Sequence, residues 1–453
     1  MTDTRHHQLR RIFDAAVLLP PADRAAFVAT ECAGDAGLQQ RVEDLLAACD
    51  DGPFLATPHL AALPLAPAPA GEAAGSQIGP YTLRRTLGEG GFGTVWLADQ
   101  KDPVTRQVAL KILKPGMDTE QVVARFEQER QALGRLDHPH VARVIDAGAT
   151  AAGRPFFVME FVDGLPLVDF CDRHQLPVDA RIQLLAQVCD AVQHAHGRGI
   201  IHRDLKPSNV LVTAVDGRPL AKVIDFGIAK AIAEKLTDRT LFTEARQLVG
   251  TLQYMSPEQA AGSPDLDIRT DVWSLGVVLY ELLAGTPPFV PADTNDLWQN
   301  DLQRQIREDD PPRPSTRLLH SRERAASLAS QRRTTVHRLP AAVRGELDWI
   351  VMRAIEKERT RRYQTAHELA ADLRRYLAGE PVLAAPPSRS YRLRKFVRRN
   401  RAAVAAAAGV LLALVGGAAA FAWQADVARG ERDRAVTAET QGKQVLDLLL
   451  GAL

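Results

Sequence analysis

The chain predicts an α+β fold in two lobes, a small β-rich lobe followed by a larger helical one. Three observations carry this. Segments of β type cluster at the front of the globular region: Tyr81–Leu87, Thr94–Asp99, Gln107–Leu113 and Phe156–Phe161. Segments of helical type then dominate, as in Val178–Arg198, Asp271–Leu283, Leu347–Ile355 and Ala366–Leu377. Between the first two strand-like segments stands a glycine-rich turn, Gly88-Glu89-Gly90-Gly91-Phe92-Gly93.

The 453 residues suggest two or three domains. A hydrophobic share of 46% is enough to build a core, and a net charge of +1 supplies no global field for nucleic acid. Cys32, Cys49, Cys171 and Cys189 show no CxxC spacing and read as free thiols in a reducing compartment. The N-terminus has no apolar stretch of signal-peptide type, so the front of the protein is expected in the cytoplasm.

Residues 1–58 form a small helical accessory region in this reading. Leu9, Ile12, Phe13 and Val17 fall at helical spacing, as do Leu38, Val42, Leu45 and Leu46, with Pro20-Pro21 between them. Residues 59–80 are an Ala/Pro-rich linker carrying Pro64, Pro67 and Pro69. The globular region spans 81–378, its first lobe 81–163 and its second 164–378. Within the second lobe, the Arg- and Ser-rich stretch from Arg313 to Arg344 reads as a surface insertion.

Residues 379–401 end in a basic run: Arg392, Arg394, Lys395, Arg398, Arg399 and Arg401 with no acidic residue among them. Residues 402–423 carry no charge, long enough for a transmembrane helix. The basic run before it fits the positive-inside rule, and Trp423 sits where an interfacial anchor belongs. Gly409, Ala413 and Gly417 have the spacing of a helix-packing stripe. The bland reading is a buried or surface Ala-rich helix. Residues 424–453 are a short helical stub on the far side.

Four motifs carry chemistry. Glycines let a backbone approach phosphates closely, but a lone GxGxxG also marks dinucleotide sites and ordinary turns. Here a strand-like Thr94-Val95-Trp96-Leu97 follows, which favours a hairpin lid over a helix start. Val108-Ala109-Leu110-Lys111 ends a strand on a lysine, which burial would discharge without an anionic partner. Glu129 is the candidate partner and Glu127 its rival. His202-Arg203-Asp204-Leu205-Lys206-Pro207-Ser208-Asn209 follows an Ile200-Ile201 strand signal, and Val223-Ile224-Asp225-Phe226-Gly227 comes next. Phosphoryl transfer needs metals on the phosphates, a cation near the γ-phosphate and a carboxylate to orient the nucleophile. Asp225 and Asn209 offer oxygen ligands suited to Mg²⁺, Asp204 can accept a hydroxyl proton, and Lys206 can neutralise the moving group.

In order and spacing these motifs resemble the eukaryotic-type protein kinases, specifically the bacterial transmembrane Ser/Thr branch, over about Tyr81 to Leu377. The resemblance implies the bilobal kinase fold with ATP and Mg²⁺ (Mn²⁺ as alternative) as cofactors and proteins as substrates. It implies an ATP site made of Leu87, Gly88, Glu89, Gly90, Gly91, Phe92, Gly93, Thr94 and Val95, with Ala109, Lys111, Met159, Glu160, Val162 and Leu211. Val95, Ala109 and Leu211 would sandwich the adenine. Met159 would be the gatekeeper, and Glu160–Val162 the hinge. Lys111 would bind the α- and β-phosphates and pair with Glu129. Asp204 would be the base, Asn209 and Asp225 the metal ligands. Asp271 would brace the catalytic loop, and Arg362 would pair with Glu258. Lys206 and Thr251 resemble the Ser/Thr type. The family's end marker reads Ser256-Pro257-Glu258 here, and Leu110 stands where Ile is commoner.

Arg203 in such kinases meets a phosphate on the activation loop, so Thr237, Thr240 and Thr243 are expected autophosphorylation sites, against the bland reading of solvated hydroxyls. Trans-autophosphorylation implies self-association. The runner-up function is a nucleotide-binding pseudokinase scaffold, against which stand Lys111, Asp204 and Asp225. A small-molecule kinase of related fold would generally lack the Glu258 and Arg362 pair.

Overall fold

The structure is a computed structural model. It describes residues 72–90, 93–114, 134–226, 252–291, 298–320 and 323–450, with a few positions between 12 and 42. The chain divides into two compact units, residues 1–71 and 72–453.

In the first unit Ile12, Ala16, Val28, Cys32, Leu38 and Val42 are buried together. The pairs Ile12/Ala16, Val28/Cys32 and Leu38/Val42 are each four residues apart, the spacing that puts two side chains on one helical face. Leu9, Phe13, Val17, Leu45 and Leu46 lie outside the described residues.

The second unit opens on a six-stranded antiparallel sheet. Its strands are β1 (Gln77–Ile78), β2 (Tyr81–Gly90), β3 (Gly93–Gln100), β4 (Arg106–Leu113), β5 (Val144–Ala149) and β6 (Pro155–Glu160), in the order β1-β2-β3-β4-β6-β5. One face buries Tyr81, Leu83, Ala98, Val108, Leu110, Ile112, Phe156 and Val158. On β2 the buried Tyr81 and Leu83 alternate with Thr82 and Arg84, the period of two of a strand, while β3, β4 and β6 also bury Leu97, Ala109 and Phe157 of the other face. The sheet reaches back into the stretch read as linker: Ile78 is buried and pairs with Tyr81, and Glu72 forms an ion pair with Arg154. Pro-rich composition hid this two-residue strand.

The helical lobe follows, with α1 (Leu167–Arg173), α2 (Val178–His196), α3 (Pro257–Ala260), α4 (Arg269–Ala284), α5 (Trp298–Glu308), α6 (Pro314–His320), α7 (Ala325–Gln331), α8 (Arg338–Val343), α9 (Glu346–Ala354) and α10 (Ala366–Leu377). A second small sheet, β7 (Leu165–Pro166), β8 (Val210–Val215) and β9 (Arg218–Val223), lies at its top. Helix α4 is the core of this lobe, with Trp273, Tyr280 and almost every neighbour fully buried. A helix apolar all round is read as central. It approaches α9 so closely that a Cβ on Gly276 would stand 2.7 Å from that of Ala354. It ends at Gly285, whose φ of +78° suits a residue without a Cβ.

Two further sequence expectations are corrected. The stretch 313–344 is no surface insertion. It forms α6, α7 and α8, whose Leu318, Leu328, Leu339 and Val343 join the main core. Its arginines misled because two of them act inside: Arg317 caps the Pro288 carbonyl, and buried Arg332 donates to the Leu282 carbonyl at 2.9 Å. The second correction concerns Ile200 and Ile201, which lie in no strand. The chain there runs from α2 into the loop held by Asp271, described below, so their apolar character serves partial burial rather than pairing.

After α10 come α11 (Arg389–Arg399) and α12 (Arg401–Leu450). The described part of α12 from Arg401 to Gln444 is long and apolar enough in its first half to cross a membrane. The helix continues unbroken through the residues expected as a separate stub.

Candidate active site

The glycine-rich turn is a β-hairpin: Gly88 lies opposite Val95, Glu89 opposite Thr94 and Gly90 opposite Gly93. Gly91 and Phe92 lie outside the described residues. Gly93 is there for space. A Cβ on it would fall 2.2 Å from the Ile112 carbonyl oxygen of β4. Leu87, beside a register shift in β2, is half-exposed.

Cross-strand partners and next-but-one residues share a face of a sheet. Val95 is opposite Lys111, and Ala109 is opposite Met159. Val95, Ala109, Lys111 and Met159 therefore line one face, opposite to the apolar face that Leu110 and Ile112 bury. Glu160 ends β6 and is held by Lys222 of β9 through both carboxylate oxygens, at 2.7 and 2.9 Å. Val162, just beyond, is buried. Leu211 sits in β8, opposite Lys222.

The loop at 200–206 is pinned from beneath. The Asp271 carboxylate accepts from His202 N at 2.8 Å, Arg203 N at 2.9 Å and His196 Nε2 at 2.7 Å. Burial by itself would raise the Asp271 pKa, but the His196 hydrogen bond and the neighbouring groups hold it below the usual carboxylate range. His196, at the end of α2, is a positioning residue that the sequence reading missed. Its signal was only a polar residue on a helix otherwise apolar on that side.

Burial lowers the His202 pKa, which keeps the imidazole neutral. One nitrogen, Nε2, donates to the Ile224 carbonyl at 3.2 Å, and Nδ1 accepts from Asp204 N at 3.3 Å. The ring also rests on Phe226, 4.8 Å between centroids. Ile224 N in turn donates to the Asn209 carbonyl at 2.9 Å. These bonds stitch the segment of Asp225 to the loop of Asp204. Arg203 and Asp225 both adopt left-handed backbone, φ +63° and +57°. Non-glycine residues hold such conformations only where surroundings over-determine them, typically at functional sites. At Arg203 the constraint comes from two sides: its N–H donates to Asp271, and its carbonyl accepts from the Gln259 amide at 2.8 Å.

Within this frame Lys206 Nζ lies 3.0 Å from an Asp204 carboxylate oxygen, and the Asn209 amide donates to the Asp204 carbonyl and carboxylate at 2.8 and 3.1 Å. Lys111 does have an acidic partner: its Nζ is 2.7 Å from Asp225 Oδ2. Sequence reasoning named Glu129, which with Glu127 lies outside the described residues. Thr237, Thr240, Thr243 and Thr251 lie outside them too.

The donors fit a Mg²⁺ ion held jointly with phosphates. Asn209 spends its NH₂ on Asp204 and keeps its amide oxygen as acceptor, and Asp225 adds carboxylate oxygens. Among the described residues no group of three His, Cys, Asp or Glu could cage a metal alone.

Below the loop, Arg362 grips Glu258 by two hydrogen bonds of 2.7 and 2.8 Å, and Thr270 adds a third to the same carboxylate at 2.9 Å. Ser256 caps α3 through a reciprocal box with Gln259.

A family model, the protein kinase domain, matches residues 81–370. The chain belongs to the protein kinase family. Serine/threonine-protein kinase PknB of Mycobacterium leprae is 38% identical over 306 residues, covering 66% of this chain and 43% of that protein. Serine/threonine-protein kinase pkn3 of Myxococcus xanthus is 36% identical over 318 residues, with 68% and 56% covered. This kinase-family chain thus spans about half the length of the curated relatives it matches. Among solved structures, the PknI kinase domain of Mycobacterium tuberculosis is 26% identical, covers 67% of this chain and 98% of that one, and superposes with a TM-score of 0.47.

Proposed function

We propose that this chain is a serine/threonine protein kinase, moving the γ-phosphoryl group of ATP to Ser or Thr hydroxyls of proteins and of its own activation segment. The observation that carries the reading is the stitching of the Asp204 loop to Asp225 through Ile224, His202 and Asn209. It supports a site in which Asp204, Lys206, Asn209 and Asp225 act together, with Lys111 of the sheet reaching Asp225. Asp204 orients the substrate hydroxyl and accepts its proton. Lys206, beside it, faces the charge of the group in flight. Lys111 turns from Asp225 to the α- and β-phosphates, while Val95, Ala109 and Leu211 take the adenine, next to Met159 and the Glu160–Val162 hinge. Bound at Asn209 and Asp225, Mg²⁺ supplies neutralisation of phosphate charge. The loose transition state asks little else of the protein. The Ser/Thr class is supported by Lys206 and by the likeness to serine/threonine-protein kinases PknB and pkn3.

Two finer parts belong to the same proposal. Arg203 receives a phosphate on Thr237, Thr240 or Thr243, added in trans by a second copy. Helix α12 anchors the chain once in the cytoplasmic membrane, with the kinase lobes on the cytoplasmic side, as the basic run before it favours.

The test is phosphate incorporation by the detergent-purified chain with Mg-ATP, comparing wild type with Asp204→Asn, followed by phosphosite mapping. Label on Ser or Thr in the wild type alone is expected. Nucleotide binding without label in either protein would overturn the reading in favour of a scaffold. An active protein unmodified at all three threonines would remove the regulatory part.

A further inference from the structure

Helix α11 carries two unlike stripes. Tyr391, Lys395 and Arg399, four residues apart, face the helical lobe. Tyr391 Oη and Lys395 Nζ each donate to Glu346 of α9 at 2.8 Å, and Arg399 pairs with Glu380 at 2.7 Å. The Tyr391 ring also meets Trp349 edge-on, 5.6 Å between centroids. The remaining surface is open. Leu393 and Phe396 are 63% and 58% exposed, and Val397 is exposed beside them. Arg392, Arg394 and Arg398, also exposed, make no ion pair with a described residue. From Arg389 to Arg401 there is no acidic side chain. Beside this surface a cleft between α11 and residues 379–386 is walled by Val382, Leu383 and Phe396 and also lined by Arg392.

We propose that α11 is a lipid-docking helix, laid on the anionic headgroup face of the bilayer that α12 crosses, with its opposite stripe clamped to Glu346. The proposal rests on the membrane reading above. Exposed apolar side chains opposite the clamp, with arginines flanking them on both sides, are the composition of an interfacial helix. The occupant follows from continuity and charge. Asn400 alone separates α11 from α12, so the first apolar turns of α12 hold α11 at the membrane face. Basic residues there complement anionic lipid. A second copy would set arginine against arginine. Because the clamp is part of the lobe, lipid contact also fixes how the kinase cleft is turned relative to the membrane.

The experiment is amide hydrogen exchange on the full chain. It is reconstituted in vesicles of phosphatidylcholine alone and of equal parts phosphatidylcholine and phosphatidylglycerol. Amides of α11 are expected to exchange roughly tenfold or more slowly in the anionic vesicles, with the difference erased by high salt and by Arg392→Gln/Arg394→Gln/Arg398→Gln. Amides of α4 serve as the control and should not change. Protection of α12 but equal exchange of α11 in both vesicles would overturn the proposal and leave the membrane reading standing. Failure of α12 to gain protection in either vesicle would overturn both. Salt-insensitive protection of α11 would point to a protein or purely apolar contact and also count against it.

Discussion

Arg362, fully buried, holds Glu258 in a two-bond fork 104 residues away along the chain. Buried ion pairs add little net stability when intact, but removing one partner strands the other charge. Arg362→Ala is expected to lower unfolding free energy by about 3–5 kcal/mol. Arg362→Lys should recover only part, since an ammonium cannot reproduce the planar fork. Denaturant unfolding of the three proteins measures this.

The same pair sets a pH dependence. Burial would raise the Glu258 pKa, but the hydrogen bonds and charge of Arg362 outweigh it and the net direction is down. The folded value lies below the unfolded one of about 4.3. The stabilisation is therefore complete above that pH and is lost as pH falls through the folded value. Melting temperature should drop more steeply below about pH 4.3 in wild type than in Glu258→Gln.

Asp271→Asn leaves one acceptor oxygen where three donors converged, and its own NH₂ would face N–H groups. The loop of Asp204 loses its fixed geometry. Steady-state kinetics should show a turnover loss of roughly 10²-fold. The Michaelis constant for ATP should move far less, since the sheet face of Ala109 and Lys111 is untouched. An equal change in both constants would mean that the lobe as a whole is disturbed.

Gly93→Ala forces a Cβ against the Ile112 carbonyl, a backbone atom that cannot swing away. Overpacking of this kind costs about 1–3 kcal/mol. Nucleotide affinity should fall with stability, because β3 and β4 carry Val95, Ala109 and Lys111. Calorimetric melting and ATP titration of the purified variant check both.

Leu339→Ala and Val343→Ala test the corrected reading of residues 313–344. A surface insertion would tolerate both within about 0.5 kcal/mol. Core positions should lose about 1–5 kcal/mol, the leucine more than the valine. Denaturant unfolding of the two variants separates the cases.

Much of the site was legible because its chemistry is local. The Asp204, Lys206 and Asn209 cluster lies within six residues, and a loop that short must bring its side chains together. Asp271 and the partnership of Arg362 with Glu258 were legible only through the family resemblance, since no spacing links positions so far apart. His196 and Lys222 went unread for the opposite reason. Each is an ordinary polar residue until the fold aims it at Asp271 or Glu160. The misread arginines of 313–344 show the same limit, because composition reports polarity but not whether a carbonyl waits inside for the guanidinium.

By itself the sequence determined the two-lobed α+β class, the order of the elements and the residue types of the loops at 88–93 and 202–209, because hydrophobic period and loop chemistry are properties of short stretches. Only the tertiary structure decided which acid faces Lys111 in this conformation, how Ile224 and His202 tie two loops together, and that α11 clamps to Glu346 with its other face bare. Those outcomes depend on contacts between segments distant in the chain, and their geometry is set by the packing of α4 and the sheet rather than by any local preference.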